Sequence, residues 1–407
     1  MSNPKEQKGF KYNGITVLNK DLQARQEIAA IKEDIQEIED TIGMEVEANY
    51  IFINENIDDP FSRISGDVNG NVIRWIRRNS HRYLAKQTAA GTLTVCQLSD
   101  GDGRKFAEDL SAAALDGTMG DVIMLHPAFY THAVEVQTGI WRIGFSRTQI
   151  TQDWKLWEDN DAIGVYEGYV SNGKLYSRSG VASTGNVSQA NFKAYARARG
   201  TGFTCVKWKH QNIMAFLYYA SEGNTNCQAT KGFGTNSYEK ATGGTDALGM
   251  QDTDPINGNA GSINFWGIEN WWGNKYDWVD NVEINADVWS ITEDDGSVRT
   301  VQGQSAYNGW VYPKNFVIGR NLDVIPKPTQ SGGTDATGYC DGIYMSGADG
   351  RVVLRGCSGS DSLGGVAGAN CNLGSSYTGA FLGSRLAFKG TIVKASVADF
   401  KAATAIG

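Results

Sequence analysis

Side chains able to do chemistry are few and scattered along this chain of 407 residues. The histidines are His81, His126, His132 and His210. His126 and His132 share strand parity, yet no further ligand stands near them, so solvent-facing or hydrogen-bonded imidazoles are expected instead of a metal site. The segment "DGDGRK" begins like a calcium loop, but Arg104 stands where an oxygen ligand is required. A calcium ion elsewhere among the Asp- and Asn-rich loops stays open. Cys96, Cys205, Cys227, Cys340, Cys357 and Cys371 form no C-x-x-C pair. They read as reduced, mostly buried thiols, with a Cys357–Cys371 disulfide as the alternative in an oxidising space. No G-x-S-x-G elbow and no phosphate-cradling P-loop occur. Spacing alone neither finds nor excludes a glycosidase carboxylate pair. The expectation is a protein with no cofactor, no metal and no catalytic residue.

Composition narrows the partners. The net charge is −8 and basic residues form no large block, which argues against nucleic acid. No apolar run approaches the roughly 20 residues that a membrane helix needs, so membrane insertion is not expected. The opening "MSNPKEQKGFKYNG" lacks the apolar stretch of a secretory signal. Glycine is abundant at 49 and proline scarce at 7, beside 11 Trp and 17 Tyr. That texture predicts short strands joined by tight turns.

The positioning elements divide the chain. Residues 1–15 read as a tail. Residues 16–43 carry Ile28, Ile31, Ile35, Ile38 and Ile42, an a/d heptad seam of isoleucine that predicts a coiled-coil helix and a homotrimer. A single amphipathic helix packed on its own domain is the alternative. Residues 44–161 read as a small mixed α/β connector. In it, "MEVEANYIFIN" alternates as a strand, "NVIRWIRRNSHRYLAKQ" reads as one basic amphipathic helix, and "DVIMLHPAFYTHAVEVQTGIWRIGFS" as a strand pair around a proline. Residues 162–390 hold two helices, one from near Ser188 to Gly200 and one stopping at Gly223, followed by short strands. Residues 391–407 close the chain. The fold class expected is α+β.

The segment "GIENWWGNKYDWVDNVEI", Gly267 to Ile284, then becomes informative. With "RVVLRGCSGS" and "FLGSRLAF", it resembles the formylglycine-generating-enzyme-like branch of the C-type lectin fold. Gly267, Ile268, Glu269, Gly273, Asn274, Tyr276, Asp277 and Trp278 fill that branch's "G-l-y-D-m-x-G-N-v-W-E-W" positions. The resembling segments span roughly residues 162 to 388. Within the branch, the stretch "AIGVYEGYVSNGKLYSRSGV…FKAYARARGTGF" most resembles phage and prophage fibre or tail proteins, and the C-terminal part also resembles the target proteins of diversity-generating retroelements.

That resemblance implies a C-type-lectin-like domain with two helices and short twisted strands. It also implies a ligand-binding window from Cys357 to Leu382, where Ser358, Ser360, Asp361, Ser362, Asn370, Asn372, Ser375, Ser376 and Tyr377 would offer hydrogen bonds. Enzymes of the branch hold copper on two close cysteines, and no cysteine follows Cys357 within a few residues. The function implied is a phage virion protein, made in the bacterial cytoplasm and attached to other virion proteins through its N-terminus. It would bind a host-surface glycan or protein. A virion-associated enzyme acting on surface polysaccharide and a decoration protein without ligand are the rivals. Trp272, Tyr276 and Trp278 are expected in the core, whereas Trp271, of opposite parity, could stand exposed as a stacking platform.

Overall fold

The computed structural model describes residues 48–235, 238–255, 261–303, 309–327, 332–356 and 363–406. The expected tail and the coiled-coil helix with Ile28, Ile31, Ile35, Ile38 and Ile42 lie outside them. From Ala48 onward the chain folds as one compact unit. Strands dominate it, so the α+β expectation is corrected to a mainly β architecture of several sheets, with only short helices beside the 15-residue Trp208–Glu222.

A five-stranded antiparallel sheet runs in the order Ile64–Gly66, Ala48–Asn54, Ile140–Ser146, Phe129–Gln137, Lys155–Trp157. Ala48–Asn54 alternates as expected, with Ile51 and Ile53 fully buried. A seven-stranded sheet runs in the order Phe203–Cys205, Leu386–Lys389, Asp161–Gly164, Asp121–Leu125, His81–Ala89, Thr92–Gln97, Thr391–Lys394. It draws strands from both sides of the expected 161/162 division, and its last strand pairs parallel with Thr92–Gln97. An eight-stranded sheet is centred on Tyr276–Asn285, flanked by Val288–Thr292 on one side and Arg351–Arg355 on the other.

Two local readings need correction. The expected single helix of "NVIRWIRRNSHRYLAKQ" ends at Arg78, and His81–Ala89 is a central strand. Tyr83 and Leu84 are both buried because this strand is covered on both faces, so its apolar residues do not alternate with polar ones. The expected strand pair around Pro127 is three strands, and the first of them, Asp121–Leu125, belongs to a different sheet from the other two. The later helices sit where their caps place them. Ser188 Oγ accepts from the Asn191 amide at 3.3 Å to start Gln189–Arg197, and Gly223, with φ of +67°, ends Trp208–Glu222. The second helix is buried on every side, with no residue from His210 to Ala220 left exposed.

The turn before the central strand depends on glycine. Gly273 has φ of +83°, and a Cβ there would lie 2.9 Å from Gly234 Cα. Gly296 has a similar φ of +84° but faces open space. Left-handed backbone alone costs an alanine about 1–2 kcal/mol. Gly273→Ala is therefore expected to lose more stability in urea denaturation than Gly296→Ala. Equal losses would show that the close approach of the two loops is unimportant.

Candidate binding surface

The motif segments meet in the core. Asp277 Oδ2 accepts from Arg355 Nη1 at 2.6 Å and from Arg385 Nε at 3.2 Å, with all three side chains at most 1% exposed. The Arg355 guanidinium lies 3.3 Å from the centroid of the Trp271 ring, donates to the Trp271 carbonyl, and reaches Gln211 Oε1 at 2.8 Å. Arg385 donates to the carbonyls of Val165 at 2.7 Å, and of Glu269 and Asn270 at 2.9 Å each. Trp271 is fully buried, which corrects its reading as an exposed platform. Its ring is the lid of the buried cation. Trp272 Nε1 donates to the Gly232 carbonyl at 2.9 Å and Trp278 Nε1 to that of Val187 at 3.2 Å, so these two buried indoles are satisfied. Burial pulls the Arg355 guanidinium down to about 9 and Asp277 opposes the shift, leaving it charged at neutral pH.

Other shifted groups are also interior. Burial pushes the Glu167 carboxyl up to about 7, with Asp277 adding to the effect. Burial pushes Asp341 up to about 8, opposed by the hydrogen bond that the Ala367 amide donates to its Oδ2 at 2.8 Å. Both residues are 1% exposed. The histidines are dispersed: His81 pairs with Asp100 at 3.0 Å, His132 with Asp153 at 2.7 Å, His210 with Asp161 at 3.0 Å, and His126 meets Ser80 at 2.8 Å. Asp102 binds Arg104 Nε at 2.8 Å, which occupies the carboxylate of the calcium-like segment. Cys96, Cys205, Cys227, Cys340 and Cys371 are buried free thiols, and Cys357 lies outside the described residues. Among the described residues, no group of three or more His, Cys, Asp or Glu is placed to hold a metal ion.

The expected ligand-binding residues separate into sets. Ser358, Ser360, Asp361 and Ser362 lie outside the described residues. Asn370 ends the two-residue strand Ala369–Asn370, and its Oδ1 accepts from the Asn372 amide at 2.9 Å. Ser375, Ser376 and Tyr377 sit on an exposed turn, closed by the Tyr377 amide on the Gly374 carbonyl at 3.1 Å. The Ala190 amide, in the first turn of Gln189–Arg197, points at the Ser375 carbonyl at 3.5 Å.

Sequence reasoning missed the neighbours of Asn370. In cross-strand register, Trp310 of Gly309–Val311 faces Tyr344 of Ile343–Met345, and Tyr344 faces Asn370. All three are half-buried, and the two rings meet edge to face at 5.4 Å. The alternate residues Val311, Ile343, Met345 and Ala369 point into the main core. The strand-period alternation of "GWV" and "IYM" carried this signal, but the segments are too short to read alone.

A charged cleft of about 690 Å³ was also not anticipated. Asp294 is its hub, reached by Lys207 at 2.7 Å, Lys209 at 2.5 Å and Lys389 at 2.8 Å. Asp280 in the same cleft binds Arg197 at 3.0 Å and Lys193 at 3.2 Å. These cations are neutralised in place, so the cleft offers little field to an anionic ligand.

No protein-family model and no curated protein matches the chain. Among solved structures, it is similar to PvdO from Pseudomonas aeruginosa, at 14% identity and TM-score 0.31 over 67% of this chain and 95% of that one. It is also similar to the Major Tropism Determinant M1 and U1 variants, each at 14% identity over 77% of this chain and 73% of theirs, with TM-scores of 0.31 and 0.29. Likenesses this weak establish neither the fold nor an activity.

Removing one member of a buried ion pair typically costs about 3–5 kcal/mol. Asp277→Ala is expected to lose stability on that scale in chemical denaturation; a loss under about 1 kcal/mol would show that the cluster does not hold the segments together. Asp341 titrates higher folded than unfolded. Its contribution is therefore complete below about pH 4 and lost as pH rises through about 8. Asp341→Asn is expected to flatten the decline of the denaturation midpoint across that window, and parallel curves for the two proteins would refute the assignment.

Proposed function

We propose that this chain is a phage virion protein, a tail or head fibre, that acts as an adhesin and binds a host-surface glycan or protein. The observation that carries the reading is the row of Trp310, Tyr344 and Asn370 on neighbouring strands. Two half-buried rings and a primary amide, held on backbone already committed to a sheet, can stack on a sugar ring or a partner side chain. They can also fix its orientation by hydrogen bonds. The Ser375–Tyr377 turn adds hydroxyls and a phenol ring that is 46% exposed. The resemblance of the stretch "AIGVYEGYVSNGKLYSRSGV…FKAYARARGTGF" to phage fibre proteins supports the particle assignment. Binding is favoured over catalysis because the carboxyls pushed furthest upward, Glu167 and Asp341, are sealed in the interior.

The test uses fluorescently labelled full-length chain and host bacteria. Tyr344→Ala and Tyr377→Ala are each expected to weaken cell binding about tenfold, the scale of one lost ring contact of about 1.4 kcal/mol, with unchanged thermal melting. Binding equal to wild type in both variants would remove this surface from the function.

A further inference from the structure

The strand Val298–Gln302 is a border of the eight-stranded sheet, at the opposite end from Gly309–Val311. It pairs along its whole length with Val288–Thr292 and has no bulge. The other borders of the three large sheets are shorter. Ile64–Gly66, Lys155–Trp157, Phe203–Cys205 and Gly309–Val311 hold three residues each, and Thr391–Lys394 holds four and ends in lysine. Val298–Gln302 holds five, contains no proline, and turns its one charged side chain inward. There Arg299 is held by Glu293 and by Asp323 at 2.6 Å. Short length, proline, a bulge or an outward charge usually keeps a border strand from pairing, and this strand has none of them.

Strand register fixes which backbone groups are free. Along an antiparallel ladder, residues bonded to the neighbour alternate with residues that face away from it. The Glu293 amide donates to the Ser297 carbonyl at 2.8 Å, and the Gly303 amide to the Asp287 carbonyl at 3.0 Å. In steps of two between these ends, Arg299 and Val301 bond to Val288–Thr292. Val298, Thr300 and Gln302 therefore aim their N–H and C=O groups at the open border. The same three residues expose their side chains. Val298 is 60% exposed, the most of any large apolar residue among those described. Val301, of opposite parity, packs on the main core.

The segment is complementary to itself about Thr300. A second copy laid antiparallel and centred there sets Thr300 opposite its own counterpart, Val298 opposite Gln302, and Arg299 opposite Val301. Every free N–H and C=O of Val298, Thr300 and Gln302 then finds a mate. Opposed threonines are a favourable cross-strand pair, and no like charges face each other. The two Arg299 side chains are diagonal neighbours, each already neutralised by Glu293 and Asp323. The acidic turns that follow Thr292 fall at opposite ends of the pair, roughly 27 Å apart at about 3.4 Å per residue, well beyond a screening length of about 8 Å. A register centred on Arg299 would oppose two guanidinium groups, and one centred on Val301 would leave Val298 without a mate. The chemistry of this border therefore singles out one partner and one register.

We propose that Val298–Gln302 is a self-association strand: two copies of this chain pair antiparallel along it, about a two-fold axis at Thr300, and join their eight-stranded sheets into one. Such a contact uses the same patch on both copies, so it closes on itself and does not grow into a filament. The Trp310–Tyr344–Asn370 row lies toward the other border of the sheet and takes no part. Self-association and the adhesin reading therefore stand or fall separately.

Sedimentation equilibrium of the full chain at micromolar concentration tests it. Thr300→Lys sets two ammonium groups against each other, and Thr300→Pro removes only an amide that faces the open border. Each is expected to halve the mass of the wild type while thermal melting stays the same. Thr300→Cys gives a gain of signal and keeps the test available if the proline variant fails to fold. Opposed bonded residues stand about 5.5 Å apart between Cα atoms, within reach of a disulfide. Mild oxidation is expected to link Thr300→Cys into a covalent pair but not Val298→Cys, which stands roughly 14 Å from its own counterpart. Equal mass for the wild type and both the lysine and proline variants overturns the proposal. So does cross-linking of both cysteine variants alike, or of neither.

Discussion

One carboxylate holds the second half of the chain together. Asp277 sits on the central strand of the eight-stranded sheet and shares Oδ2 between Arg355, 78 residues on, and Arg385, 108 residues on. Burying an isolated charge costs several kcal/mol, so none of the three can be interior unless all three segments arrive together. The guanidinium groups then spend their remaining donors on the carbonyls of Val165, Glu269, Asn270 and Trp271 and on Gln211. In this way one ion cluster fixes the Tyr276–Asn285 strand, the Arg351–Arg355 strand, the irregular run before Tyr276 and the helix Trp208–Glu222 against each other.

That arrangement explains why an aromatic and glycine-rich sequence lacks reactive side chains at its most distinctive segment. Trp271 covers the Arg355 cation, Trp272 and Trp278 each spend their indole N–H on a backbone carbonyl, and Gly273 lets the backbone come close to Gly234. The segment's residue types answer chiefly to packing. Surface chemistry is displaced along the same sheet, to strands whose Val311, Ile343, Met345 and Ala369 anchor in the main core while Trp310, Tyr344 and Asn370 take the alternate positions, half-buried, with Trp310 packed against the second hydrophobic cluster.

The sequence was most legible where one residue type has one physical use. Ser188 as an N-cap, Gly223 as a left-handed stop, and Trp272, Tyr276 and Trp278 as core residues needed no knowledge of neighbours. It was least legible where a tertiary partner decides. The His81–Ala89 strand hid behind a helix because burial on both faces erased its two-residue period. Trp271 lies on a bend before the strand, where strand parity does not apply, and it packs in the main hydrophobic cluster over the Arg355 guanidinium. The seven-stranded sheet joins strands across the expected 161/162 division. Hydrogen bonding between Asp161–Gly164 and Asp121–Leu125 leaves no mark in composition. At the candidate surface, the Cys357–Leu382 window contains Asn370, whereas Trp310 and Tyr344 lie outside that window and are brought beside Asn370 by strand pairing.

The position of the row also constrains how a partner would be recognised there. Gly309–Val311 forms one border of the eight-stranded sheet, and a border strand offers unpaired backbone to any incoming strand. This one is only three residues long and is followed two residues later by Pro313, which has no amide hydrogen to donate. Tyr312 and Pro313 already lend their carbonyls to Gly333 and Tyr339, at 3.1 Å each. Little backbone is left for strand addition, so selectivity at this border falls to the side chains. A surface of two rings and an amide would be tolerant of partner backbone and sensitive to partner shape.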